Sequence, residues 1–333
     1  MSQAMHKPPE YQAASDAVAS AKSILVVTHT SPDGDAIGSS LGLANALRAM
    51  GKDVTVAVDE GLPDFFAWLP KAQTIVGELP ADASWDVMIS TDASDEVRSG
   101  AVGKIGFANS KTVINIDHHI TNTYFGDIHL VMPDAASATQ VVFNWWEHMS
   151  IDWTYDIAQP LLTGLVTDTG GFRTNSTTPD VLTVAQKLMR HGASLIEATQ
   201  RSLNVRSPQE LAVWQRILPK VTIDNGIAIL VVTQEDMHSA NLDYFDMGGI
   251  ANFLLGTTNV QIAATFRQDE PELYKLSMRS KPGFDVSQVA FQLGGGGHKQ
   301  ASGASIDGDE DSILNKVMPL LAEAIEKGTP EIA

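Results

Sequence analysis

Residues 24 to 42 read Ile24-Leu-Val-Val-Thr-His29-Thr-Ser-Pro-Asp33-Gly-Asp35-Ala-Ile-Gly-Ser-Ser-Leu-Gly42. The opening run is apolar, mostly β-branched, short and bounded, which predicts a strand buried on both faces. Pro32 and Gly34 punctuate a loop, and a helix is expected to begin near Ala36. An imidazole and two carboxylates, His29, Asp33 and Asp35, then stand at the carboxyl end of a strand, where open α/β sheets bind ligands. Helix capping is the plainer account, since one Asp commonly caps and a second favours the positive helix end. Two Asp with a His four residues ahead of the first exceed what capping requires.

The pattern recurs downstream. Trp85 to Thr91 and Thr112 to Ile116 are further strand candidates; Asp92 follows the first, and Asp117-His118-His119 follow the second. Ile157 to Thr167 reads as a helix running into Asp168-Thr-Gly-Gly. Asp53 to Val58 alternates toward another strand, and Ala36 to Met50 and Ser137 to His148 read as helices, as does the segment from Pro179. This alternation predicts an α/β fold with a doubly wound, mainly parallel sheet. Residues 1 to 20 read as a leading helix with a frayed start. Ser194 to Leu203 and Ser207 to Leu218 carry no chemical cluster and read as a helical connector. Beyond Val221 the strand candidates Ile227 to Thr233, Val260 to Arg267 and Leu273 to Arg279 predict a smaller α+β domain. The expected divisions are 1–192, 193–219 and 220–333.

Composition narrows the chemistry. A chain of 333 residues suggests about two domains. With no cysteine, disulfides, zinc–thiolate sites, iron–sulfur clusters and cysteine nucleophiles are excluded. Any metal must be held by oxygen and imidazole nitrogen, which suits Mn²⁺ or Mg²⁺ and leaves Fe²⁺ and Zn²⁺ open. A net charge of −18 opposes binding to long duplex DNA, whose affinity comes mainly from neutralising phosphates. It still permits a small anionic substrate, because a bound metal pair reverses the field inside one cleft. There is no apolar stretch long enough to span a membrane and no signal-peptide core, so a cytoplasmic location is expected. The apolar helices are compatible with a homodimer.

Of nine histidines, four (His29, His118, His119 and His298) fall in the motifs, and the others are expected to be structural. Asp33, Asp35, Asp92 and Asp168 with His29 and His118 provide four carboxylates and two imidazoles. That inventory matches a pair of metal ions about 3.5–4 Å apart, which activates water for in-line attack on phosphorus. Absence of Gly-x-Gly-x-x-Gly after the first strand argues against a dinucleotide-binding dehydrogenase.

The segments His29-Thr-Ser-Pro-Asp33-Gly-Asp35-Ala, Asp117-His118-His119 and Gly294-Gly-Gly-Gly-His298-Lys-Gln-Ala-Ser-Gly303 together resemble the DHH/DHHA1 phosphoesterase family. The resemblance covers nearly the whole chain, and its length and two-domain plan are most similar to the oligoribonuclease (nanoRNase)/pAp phosphatase branch. It implies that His29, Asp33 and Asp92 hold one Mn²⁺ and that Asp35, Asp92, His118 and Asp168 hold another, with Asp92 shared. It implies that His119 contacts the scissile phosphate and protonates the leaving oxygen, with Asp117 orienting a neighbouring histidine. The second domain would carry substrate through Gly295, Gly296, Gly297, His298 and Arg279, since glycine lets backbone N–H groups approach an anion closely. An ordinary strand arginine is an equal reading of Arg279. A cleft between two domains would favour a few nucleotides over a polymer. The expected activity is hydrolysis of short oligoribonucleotides to mononucleotides, with the 3′-phosphate of pAp as a further target. A linear or cyclic dinucleotide phosphodiesterase and a silent nucleotide-binding sensor are the alternatives.

Overall fold

The computed structural model describes residues 10–329 except positions 60, 204, 206, 243, 244 and 246. The expected frayed start before Tyr11 lies outside the described residues. The chain divides into two compact units, Met1–Val205 and Arg206–Ala333.

The first unit runs α1 (Tyr11–Ser20), β1 (Ser23–Val27), α2 (Gly34–Ala49), β2 (Asp53–Ala57), β3 (Ile75–Val76), β4 (Trp85–Thr91), α3 (Gly100–Asn109), β5 (Ser110–Asp117), β6 (Ile128–Val131), α4 (Ala138–Met149), α5 (Tyr155–Asp168), α6 (Pro179–Arg190) and α7 (Leu195–Ser202). Its strands form one sheet in the order β3-β2-β1-β4-β5-β6, all pairs parallel. The expected doubly wound parallel sheet is therefore present. Ile24 to Val27 are fully buried because helices cover both faces: α2, α4 and α5 on one side, α3 on the other. The strand order reverses between β1 and β4, so the chain leaves these two strands in opposite directions and opens a crevice at their carboxyl ends. His29 and Asp92 follow those two strands, and Asp117 ends β5.

Helices α2 and α5 pack backbone to backbone. Gly34, Gly38 and Gly42 recur every fourth residue of α2 and so share one face. A Cβ on Gly38 would stand 2.5 Å from the Pro160 carbonyl oxygen, and one on Gly42 would stand 2.6 Å from the Leu161 side chain. Gly34 faces Thr167 in the same way, so the helices run antiparallel. Pro160 lies inside α5 and lacks an N–H, which leaves the Asp156 carbonyl without its helical donor. Asn45 Nδ2 of α2 donates to that oxygen at 2.7 Å, so the seam also repairs the helix it packs on.

In the second unit α8 (Pro208–Ile217), β7 (Thr222–Asp224), β8 (Ile227–Val232), α9 (Gln234–His238), α10 (Met247–Leu255), β9 (Ile262–Glu270), β10 (Leu273–Ser280), α11 (Ser287–Gln292), β11 (Gly296–His298), β12 (Ala301–Asp307) and α12 (Glu310–Lys327) follow. The sheet order is β11-β12-β10-β9-β8-β7, antiparallel except for β8 beside β9. Ile313, Val317 and Leu321 of α12 pack with Leu276, Met278 and Ile306, while α8 and α10 pack with Leu230, Val232 and Ala263 of the opposite face. Of the two helices expected to connect the domains, α7 packs on α5 and α8 on β8. Among the described residues no helix is long and apolar enough to cross a membrane.

Helix propensity alone makes Gly38→Ala stabilising by about 1 kcal/mol. Backbone contact reverses the sign: overpacking by about 3 kcal/mol leaves a net loss of roughly 2 kcal/mol, read by denaturant unfolding. A more stable Gly38→Ala protein would mean that the two helix backbones do not touch.

Candidate metal centre

Asp33 precedes α2 and caps it, its Oδ1 accepting from the backbone N–H groups of Asp35 and Ala36 at 3.0 Å each. Capping occupies one oxygen of an exposed side chain, so capping and ligation are not exclusive. Asp35, in the first turn, is fully buried and accepts from the N–H groups of Ala138 at 2.5 Å and Thr139 at 2.9 Å, at the start of α4. The positive end of α4 thereby supports its charge. Asp92 terminates β4 with a left-handed backbone (φ 57°), a conformation that aspartate tolerates better than most residues. Asp168 is the last residue of α5, where the helix end is negative and favours a cation.

The imidazoles are aimed by main-chain oxygens. The Thr30 carbonyl accepts from His29 Nδ1 at 2.8 Å, and the Ala135 carbonyl faces His118 Nδ1 at 3.3 Å. A carbonyl only accepts, so both rings carry their proton on Nδ1 and turn Nε2 toward the carboxylates. His29 Nε2 lies 3.5 Å from Asp92 Oδ2 and 4.0 Å from Asp33 Oδ1. His118 Nε2 lies 3.3 Å from Asp168 Oδ2, 3.5 Å from Asp92 Oδ1 and 3.9 Å from Asp35 Oδ2. Donor atoms of His29, Asp33 and Asp92 lie within 4.8 Å of one another, as do those of Asp35, His118 and Asp168, and those of Asp92, Asp117, His118 and His119. All six expected donors are thus brought together, and Asp92 belongs to two of the three groups.

These donors fit divalent cations. Asp92 is 2% exposed, and its Oδ1 is buried without a hydrogen-bond partner. Its nearest imidazole nitrogens, at 3.5 and 3.6 Å, are too far for hydrogen bonds. Two donors about 2.1 Å from one ion stand roughly 3.0 Å apart at a right angle and about 3.5 Å apart at a tetrahedral one, close to the 3.3 and 3.5 Å that separate His118 Nε2 from Asp168 and Asp92.

The electrostatics agree. Burial, then the charge of Asp92, pushes the Asp35 carboxyl up to about 7, and burial with Asp35 nearby raises Asp168 well above the usual carboxylate range. Burial resists charging His118, but Asp92, Asp35 and Asp168 outweigh it and push its pKa up to about 10. Burial likewise opposes the ionised Asp92, yet His118 and His29 hold it well below the ordinary value. Protons stand where cations would relieve the repulsion between carboxylates. Beside this cluster Asp117 is fully buried, and its Oδ1 accepts from the His118 backbone N–H and from His119 Nδ1, both at 2.8 Å.

Arg279 and Gly296 line a different cavity, of about 320 Å³, within the second unit. Arg267, Lys275 and Ser277 line it too, and sequence reasoning did not single them out as a set. Lys275, Ser277 and Arg279 are alternate residues of β10 and share a face, so the signal was polar alternation. Among the described residues, Gly295, Gly297 and His298 do not border this cavity. Gly296–His298 instead form edge strand β11, paired with Ala301 to Gly303. A Cβ on Gly297 would stand 2.5 Å from the Ala301 carbonyl oxygen, so glycine there serves close strand approach.

Residues 23–165 match the DHH family, N-terminal domain, and residues 224–327 match the DHHA1 domain. The chain is 36% identical to the bifunctional oligoribonuclease and PAP phosphatase NrnA of Thermus thermophilus, over 91% of this chain and 90% of that one. It is 26% identical to the probable bifunctional oligoribonuclease and PAP phosphatase NrnA of Streptococcus mutans, over 85% and 89% of the two chains. Among solved structures, an exopolyphosphatase-related protein from Bacteroides fragilis superposes with a TM-score of 0.83 at 28% identity, covering 95% of each chain.

Metal binding and protonation compete here. Asp35 moves from 3.8 in the unfolded chain to about 7, and His118 from 6.5 to about 10. Both folded values lie above the unfolded ones, so stability held by these protons is lost as pH rises through each window. Asp92, shifted the other way, acts only below its unfolded value of 3.8. The gap in Tm between cation-loaded and chelator-treated protein should therefore widen from about pH 5.5 to about pH 8. A gap that stays constant or narrows contradicts a metal centre at these residues.

Proposed function

The chain belongs to the DHH family, with a DHHA1 domain following, and from that premise we propose that it is a metal-dependent phosphoesterase that cleaves short oligoribonucleotides to mononucleotides. The 3′-phosphate of pAp is its second target. The observation that carries this reading is Asp92, one buried carboxylate common to two donor groups. His29, Asp33 and Asp92 would hold one Mn²⁺, and Asp35, Asp92, His118 and Asp168 a second. When bound, the ions supply Lewis acidity and cancel phosphoryl charge.

The protein's own groups do the rest. His119 is partly exposed, and with Nδ1 held on Asp117 its Nε2 is the atom left to face substrate. There it donates a proton to the departing nucleotide oxygen, a general-acid role. Asp117 is the principal cause that raises the His119 pKa, which keeps that proton available near neutrality. Arg279 and Gly296, which line the cavity of the second unit, would take the remote phosphate or nucleoside of the substrate, with Gly295, Gly297 and His298 adjoining them along the chain. Binding there selects length, because a remote anchor assists the chemistry only for substrates that reach it. The net charge of −18 disfavours long duplexes, which bring many phosphates and need many cationic partners.

Turnover of a dinucleotide, pAp, cyclic di-AMP and a long single strand, each with Mn²⁺, Mg²⁺ or chelator, tests the reading. Cleavage of the dinucleotide and pAp is expected to exceed that of the long strand, and equal rates on all would overturn it. Asp92→Ala should abolish turnover at any metal concentration, because both ions lose a donor. His298→Ala should raise KM by about tenfold with kcat little changed, as loss of a remote contact does.

A further inference from the structure

Asp117 carries a buried charge that no lysine or arginine neutralises among the described residues; its ion-pair partner is His119. Its second oxygen, Oδ2, is engaged by Asn122, whose Nδ2 donates at 2.6 Å. This is the shortest contact Asn122 makes and the one assisted by charge. The other contacts fix the amide from behind. Asn122 Oδ1 accepts from Asn115 Nδ2 at 3.0 Å and from the Tyr124 backbone N–H at 2.7 Å. Two donors on that oxygen forbid the flipped amide, so Asn122 can only present its NH₂ to Asp117. Asn115 belongs to β5 and is fully buried, which anchors the relay in the sheet.

We propose that Asn122 is a positioning residue for leaving-group protonation: by clamping Asp117 Oδ2 it fixes the carboxylate plane, so that Oδ1 holds His119 Nδ1 and Nε2 is aimed at the departing oxygen. This rests on the hydrolase reading and on the acid role of His119 given above. In the step concerned, the water oxygen bonds to phosphorus and the P–O bond to the leaving nucleotide breaks. The bonding pair stays on the leaving oxygen, which takes the Nε2 proton, and the proton released by the water restores His119. The relay from Asn115 to Asn122 lies within the first unit and orients a proton donor rather than a binding contact, so its loss should alter kcat rather than KM.

The test exploits leaving-group chemistry. A ribose oxygen leaves poorly without a proton, whereas p-nitrophenolate leaves unaided. Asn122→Ala, Asn122→Asp and His119→Ala are compared with the unaltered protein on a diribonucleotide and on the p-nitrophenyl ester of thymidine 5′-phosphate, with bound Mn²⁺ quantified for each. Asn122→Asp preserves shape and the acceptor toward Tyr124, and replaces the clamp by a repelling oxygen, so it serves where Asn122→Ala does not fold. The expected result is a ratio of kcat on the dinucleotide to kcat on the ester at least about tenfold lower in either Asn122 variant, at unchanged KM and Mn²⁺ content. His119→Ala should lower that ratio further. Equal losses on both substrates in the Asn122 variants, with His119→Ala selective, overturn the positioning role and leave the acid assignment standing. Equal losses in His119→Ala overturn the acid assignment and the inference with it.

Discussion

The glycine seam between α2 and α5 is the contact on which the centre depends. Because the helices run antiparallel, the start of α2, with Asp33 and Asp35, comes beside the end of α5, with Asp168. Helices separated by ordinary side chains pack with axes about 8–10 Å apart, and glycine at the contact permits the near end of that range or closer. A side-chain layer between these two would move Asp168 away from His118, which it now approaches to 3.3 Å. Gly164 belongs to the same seam: a Cβ there would stand 2.9 Å from Asp35 Oδ1. The small residues thus hold a donor directly as well as a helix.

Around this seam the protein gathers negative charge that, among the described residues, is paired with histidine and with no lysine or arginine. Main-chain groups aim the imidazoles, and the N–H groups of α4 support Asp35. What stabilises the remaining carboxylates is histidine, and histidine surrenders its proton to a metal. A deeply buried cluster of this kind costs folding energy when bare. The design is legible as a site because no purely structural purpose requires so many carboxylates at one sheet edge.

Much of this was readable from residues alone. Ile24 to Val27 announced itself by an unbroken apolar run and Trp85 to Thr91 by its apolar centre, Val87 to Ile89, and polar residues capable of ligation followed each. Asp168 was legible because its helix ran into Gly170-Gly171, both with left-handed backbones. β3 and β6 were not legible, since two and four residues carry no periodicity. α3, with Gly100, Gly103 and Gly106 along it, lacks the apolar stripe of a helix and is specified by the sheet it covers. Gly294 to Gly297 have no strand propensity of their own, yet part of the tract is a strand, because pairing with β12 supplies what local propensity withholds. Asn122 gave no signal at all: an asparagine near a turn looks like any turn former until Asp117 is placed beside it.

The six donors span His29 to Asp168, whereas the row of Lys275, Ser277 and Arg279 belongs to a unit with its own cores. Genetic drift can therefore rework that row without endangering the ionic machinery. A lineage built on this plan can vary one unit a substitution at a time while the other keeps its donors in place.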